Sequence, residues 1–148
     1  MLNEDYKDML LALSGEKVKY LLVGAFALAA HGIVRSTIDI DIWVSPEKDN
    51  TEALFRALVK FGAPVEQIAA RDFESENVIY QIGVAPRRID IITTVSGLRF
   101  DEVYPNSIEA ELGGIVLRIP SISDLILNKK ASGRPKDMLD VTELEKRI

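Results

Sequence analysis

The chain has 148 residues, 47% of them hydrophobic and 28% charged, with a formal net charge of −5 and no cysteine. That length predicts one domain over residues 1–148, with a core over about 18–120 and C-terminal helices over about 121–148. The composition excludes disulfides, thiolate zinc sites and thiol nucleophiles, and the acidic balance argues against broad non-specific binding to nucleic acid, which needs a basic surface.

Residues 3–14 read as a helix with Leu10, Leu11 and Leu13 on its apolar side and Gly15 at its end. Val18 to Val23 is a short apolar strand, Gly24 is a break, and Ala25 to Ala30 reads as a short helix ending near His31 and Gly32. The whole apolar run, Tyr20 to Ala30, is too short to span a bilayer. The first eight residues lack the basic region of a secretory signal. A cytoplasmic protein with no membrane partner is therefore expected. Thr37 to Val44 is the next strand, closed by Pro46. Asp49 or Asn50 is the expected cap of a helix that runs to Phe61 and stops at Gly62, with Leu54, Phe55, Leu58 and Val59 as its stripe. Residues 63–77 show no clear period. Asn77 to Gly83 and Arg87 to Thr94 read as two strands joined through Ala85 and Pro86. Gly113-Gly114 is a turn before a strand over Ile115 to Ile119. Ser121 with Asp124 resembles a capping box that opens a helix to Lys130, and Asp137 to Arg147 is the last helix. This order predicts an α/β (α+β) fold: a mixed sheet with flanking helices and a helical C-terminal tail.

Asp39 and Asp41 stand at i and i+2 inside an apolar strand, so they share one face, while Ile38, Ile40 and Ile42 share the other. Their Cα atoms lie roughly 6–7 Å apart. Two carboxylates at that spacing repel unless a cation lies between them. Such a pair suits Mg²⁺, which binds through one or two carboxylates plus substrate phosphates. Asp90, in Arg88-Ile-Asp-Ile-Ile92, is another lone acid inside an apolar strand, where an uncompensated charge is costly. If the two strands are neighbours, Asp90 reaches the same place and completes a carboxylate set for two-metal chemistry. Its role there is to ligate the second ion and lower the pKa of an attacking hydroxyl. Gly24, between a strand and a helix, lets phosphate oxygens approach the backbone, with the N–H of Ala25 beside it. Arg35 can clamp a phosphate. Lys129, Arg134 and Lys136, in the basic stretch Asn128 to Asp137, can fold over a triphosphate tail.

The run from Leu22 to Asp41, Leu-Val-Gly-Ala-x-Ala-x-x-x-His-Gly-x-x-Arg-x-Thr-x-Asp-Ile-Asp, resembles the signature of the DNA polymerase β-like nucleotidyltransferase superfamily. The run from Asp124 to Asp140, Asp-Leu-Ile-x-Asn-Lys-x-x-x-Gly-Arg-Pro-Lys-Asp-x-x-Asp, is similar to the ending of its minimal prokaryotic members. Those members include relatives of the toxins of AbiE-type toxin–antitoxin systems. The likeness runs from about residue 18 to 144. It implies a metal site of two Mg²⁺ (or Mn²⁺) ions at Asp39, Asp41 and Asp90. It also implies a nucleoside triphosphate such as ATP as donor, bound near Gly24, Ala25, Arg35, Thr37, Lys129, Arg134 and Lys136. The acceptor (tRNA, protein or small molecule) stays open. One departure stands out: the family usually has Gly-Gly or Gly-Ser in the turn, and here it is Gly24-Ala25.

Other readings compete. Asp39 and Asp41 also fit solvent-facing acids of an amphipathic strand, and Asp90 a structural ion pair with Arg87 or Arg88. The only histidine, His31, fits a helix end that meets backbone carbonyls. Trp43 shares the acids' face and fits a core aromatic better than a base-stacking platform. Asp137 and Asp140 fit partners for nearby Lys or Arg. At the level of function, a non-catalytic module that binds a cognate antitoxin or partner chain competes with the transferase. So does a phosphohydrolase with water as acceptor.

Overall fold

The computed structural model describes residues 2–34, 39–84 and 87–148. Asn3 opens α1 (Glu4–Gly15), its side-chain oxygen accepting the Tyr6 N–H at 2.9 Å. The chain enters β1 (Tyr20–Val23), passes directly into α2 (Gly24–Ala30), and resumes in β2 (Ile40–Val44). Next comes α3 (Lys48–Phe61), which Gly62 ends in a left-handed conformation, φ 91°. Then follow β3 (Ile79–Ile82), β4 (Ile89–Ile92), α4 (Phe100–Val103), β5 (Ile108–Leu112), β6 (Ile115–Ile119), α5 (Ile122–Ser132) and α6 (Pro135–Glu145). The Ser121 hydroxyl accepts the Asp124 N–H at 3.2 Å, the expected cap of α5.

The main sheet has the order β1-β2-β4-β3. Its central pair, β2 and β4, is parallel, and both outer pairs are antiparallel. This is the mixed sheet expected. β5 and β6 form a separate hairpin turned at Gly113-Gly114, and β6 packs beside β1. Alternation sorts the strands into two faces. Leu22, Ile40, Ile42, Val44, Ile89 and Ile91 join the large core, together with Met9, Leu10 and Leu13 of α1 and Leu54 and Leu58 of α3. On the opposite face, Leu21, Val23 and Trp43 pack with Val95, Phe100 and Val103.

Several details differ from the pattern read in the sequence. Tyr6, Met9, Leu10 and Leu13 are the buried positions of α1, an i, i+3, i+4, i+7 set, and Leu11 faces out. Val59 is likewise exposed. Asn50 does not cap α3; it is buried in the first turn. Its amide accepts the Lys19 N–H at 2.6 Å and donates to the carbonyls of Lys19 and Ser45, tying α3 to the start of β1. Residues 63–77 contain a 3₁₀ turn, Ala70–Glu74, that buries Phe73. The one-turn α4 carries no periodic signal, whereas β5 does, in the alternation Ile108-Glu-Ala-Glu-Leu112. Among the described residues no helix is long and apolar enough to cross a membrane.

Candidate active site

Parallel pairing of β2 with β4 sets Asp41 directly beside Asp90. Antiparallel pairing sets Val23 opposite Asp41 and Gln81 opposite Asp90. Paired residues point to the same face, so Val23, Asp41, Asp90 and Gln81 make one row across the sheet. The next row is Leu21, Trp43, Ile92 and Ile79. Asp39 enters just before β2, at the same end as Asp41.

Trp43 forms the floor beside the acids. It is 1% exposed, donates from Nε1 to the Thr93 carbonyl at 3.3 Å, and stacks edge-on against Phe100 at 5.2 Å. It is the core aromatic that burial favours.

Gly24 follows Val23 at φ +67°, and a Cβ placed on it would lie 2.3 Å from Oδ2 of Asp41. A side chain here would push the Asp41 carboxylate aside, and the positive φ favours glycine in any case. Gly24 and Ala25 open α2 against that oxygen.

Arg88 supplies the positive charge among the acids. Its Nε donates to Oδ1 of Asp90 at 2.9 Å, and its Nη2 donates to Oδ2 of Asp39 at 3.0 Å and to Oδ2 of Asp90 at 3.3 Å. The guanidinium thus bridges two of the three acids. The ion pair between Asp90 and Arg88 read as an alternative in the sequence is present, and it extends to Asp39. Asp41 is pushed up to about 6, by burial first, then by the charges of Asp90 and Asp39 and a hydrogen bond with Asp90, against the lowering effect of Arg88. The Tyr6 hydroxyl donates to the Arg88 carbonyl at 3.3 Å, which also accepts the Ile40 N–H at 3.1 Å.

These groups bear on a divalent ion in two ways. Among the described residues, no three acidic or histidine side chains already converge as a metal cage. The donor set nevertheless fits a hard cation: a buried Asp41 carboxyl raised further by its carboxylate neighbours, and acids already drawing a positive group into their midst. Asp39, Asp41 and Asp90 would hold such an ion once the Arg88 fork moved aside.

The other residues singled out in the sequence lie in different settings. Arg35 and Thr37 fall outside the described residues, as does the Ala85-Pro86 connection. Lys129 reaches Asp137 at 3.5 Å and Asp140 at 3.3 Å, and Arg134 donates to Asp137 at 2.8 Å. Lys129, on α5, thus ties that helix to α6, while Arg134 pairs within the first turn of α6; Asp137 and Asp140 are ion-pair partners as expected. Burial pushes the Asp137 carboxyl up, but Arg134 and Lys129 outweigh it and hold the group below its ordinary value. Lys136 is exposed. His31 ends α2 and donates from Nε2 to the Pro120 carbonyl at 2.9 Å, which joins α2 to the start of α5. A cavity of about 320 Å³ opens at the other end of β2 and β4, between Ser45, Thr93, Thr94 and Arg99. It contains none of the three acids, and the Thr93 hydroxyl there already donates to the Ser75 carbonyl at 2.8 Å. Gln81 and Tyr6 border the acids without having been singled out. Gln81 becomes visible only when the β3–β4 register is known.

The family model described as "Nucleotidyltransferase of unknown function (DUF6036)" matches residues 1–146. In overall fold the chain is similar to a candidate nucleotidyltransferase from Thermotoga maritima, with a TM-score of 0.61 and 15% identity, covering 99% of this chain and 94% of that one. It is also similar to ANT(2")-Ia in complex with adenylyl-2"-tobramycin, with a TM-score of 0.58 and 15% identity, covering 93% of this chain and 84% of that one. No curated protein matches the sequence.

Proposed function

The chain belongs to that nucleotidyltransferase family, and from this premise we propose that it moves a nucleoside monophosphate from a triphosphate such as ATP to an acceptor hydroxyl. Pyrophosphate is released. The observation that carries the reading is the row on the sheet: Asp41 beside Asp90, Asp39 at the same end, and Gly24 cut away to admit the Asp41 carboxylate. When bound at these three acids, divalent ions such as Mg²⁺ or Mn²⁺ supply the charge that offsets the triphosphate and the departing pyrophosphate. Asp39 and Asp41 orient the donor. Asp90 faces the acceptor and receives the proton of its hydroxyl as the new P–O bond forms and the bond to pyrophosphate breaks. The Gly24-Ala25 turn, Arg35, Thr37 and Lys136 are proposed contacts for the phosphates. Lys129 supports them by tying α5 to α6, and Arg134 by bracing the first turn of α6.

The test is incubation with each α-labelled NTP and Mg²⁺ or Mn²⁺, with total tRNA, an aminoglycoside and a cytosolic extract as acceptors. Asp41→Asn serves as control. Label on one acceptor class with wild type alone supports transfer; equal labelling by Asp41→Asn refutes the site. A second reading is a binding-only component of a toxin–antitoxin pair. It is favoured by Ala25, which lacks the usual hydroxyl, and by the guanidinium seated among the acids. Absence of both label and nucleotide binding would select it.

A further inference from the structure

We infer that Arg88 is a resident counter-cation which competes with the metal for Asp39 and Asp90 and transfers to the substrate phosphates when the metal enters. It therefore couples metal binding to nucleotide binding. The inference rests on the reading above that these acids hold a divalent ion.

Three observations carry it. First, the guanidinium spans Asp39 and Asp90 with bonds of 2.9, 3.0 and 3.3 Å, so a cation shared by those two carboxylates would have to take its place. Second, the Arg88 backbone is fixed while its side chain has a way out. The carbonyl is held by the Ile40 N–H and the Tyr6 hydroxyl, whereas the side chain is 31% exposed. Reorientation then needs side-chain torsions alone, with no break in the β2–β4 pairing. Third, the displaced group needs a new partner. An arginine fork fits phosphate as it fits carboxylate, and the triphosphate brings anionic oxygens to the same place. A metal arriving alone must displace Arg88 into solvent, whereas a metal arriving with a nucleotide gives it a replacement. Arg88 is thus a positioning and binding residue, and the coupling it provides is reciprocal between the two ligands.

Mn²⁺ binding, measured by calorimetry and by the loss of the free-ion EPR signal, tests this without any turnover. Wild type, Arg88→Gln and Arg88→Lys are compared with and without a non-hydrolysable NTP analogue. Arg88→Gln is expected to bind Mn²⁺ at least tenfold more tightly than wild type when nucleotide is absent. It should also bind the analogue at least tenfold more weakly when Mn²⁺ is saturating. Arg88→Lys keeps the charge but not the fork, so its Mn²⁺ affinity should fall between those of wild type and Arg88→Gln. Unchanged or weaker Mn²⁺ binding by Arg88→Gln overturns the inference, as does tightening by Arg88→Lys equal to that of Arg88→Gln. Binding that disappears in Asp41→Asn but ignores residue 88 refutes this inference and leaves the proposed function standing. No Mn²⁺ binding by any variant, with or without the analogue, refutes both.

Discussion

Replacing Asp41 by Asn should make the metal-free protein more stable while abolishing transfer. The Asp41 carboxyl titrates near 6 in the fold, against 3.8 for an ordinary aspartate. Below pH 3.8 the group is neutral in both the folded and unfolded states and contributes nothing. Between 3.8 and 6 the folded state holds a proton that the unfolded state has lost, so stability falls as pH rises. Above 6 the full penalty applies. At 1.36 kcal/mol per pH unit, the displacement amounts to roughly 3 kcal/mol. Asn is close in shape, carries no charge, and offers an N–H to the Asp90 carboxylate. It removes the penalty without opening a cavity.

For a chain of this size each kcal/mol moves the melting temperature by about 2–4 °C, so Asp41→Asn should melt about 6–12 °C above wild type at pH 8 in EDTA. The gap should close as the pH is lowered toward 4. Thermal melts followed by circular dichroism across that range provide the assay, with the label-transfer assay run in parallel at pH 8. A mutant that melts below wild type at pH 8, or a gap that does not change with pH, would show that the Asp41 charge is not destabilised by its burial and its acidic neighbours. A cation would then gain nothing by entering among these acids.

Two more substitutions probe the surroundings. Gly24→Ala places a Cβ 2.3 Å from Oδ2 of Asp41 at φ +67°. It should cost about 1–2 kcal/mol in backbone strain and shift the carboxylate, so transfer should be lost while the melting temperature drops by about 2–8 °C. Wild-type activity in this variant would contradict the tight fit. Lys129→Ala leaves Asp137 and Asp140 buried without their shared cation, and urea titration should show a loss of about 3 kcal/mol. A change below about 0.5 kcal/mol would mean that Lys129 does not hold α5 on α6.

The elements and residues legible in the sequence are those that break a local rule. Asp41 and Asp90 interrupt strands whose other residues are apolar, and such an interruption carries its own signal because burying a charge is costly. Gly24 was legible as a break, yet its reason was not, since the clash it avoids is with a side chain seventeen positions away. Gln81 is unremarkable until the β3–β4 register pairs it with Asp90, and register is a property of two strands and their turn. The C-terminal cations show the opposite problem. Lys129 and Arg134 read alike whether solvated, phosphate-binding or structural; Arg134 meets Asp137 within one helical turn, but only the packing of α5 on α6 brings Asp137 and Asp140 to Lys129.

Arg88 joins these two kinds of reading. By strand alternation a residue two before Asp90 shares its face, so sequence alone can pair the two side chains. The bond from Arg88 to Asp39 needs the parallel pairing of β2 with β4, and it changes what the arginine means. A cation pairing with one neighbour along its own segment is ordinary surface chemistry, whereas one bridging an acid of β4 to the acid at the entry of β2 stabilises a charge arrangement that the sheet would otherwise oppose. Asp41, outside that bridge, remains raised toward neutrality. The metal-free fold is therefore only partly compensated. Burial of the Asp41 charge and its repulsion by Asp90 and Asp39 are together what a divalent cation would relieve, and the Asp41→Asn melt measures their sum.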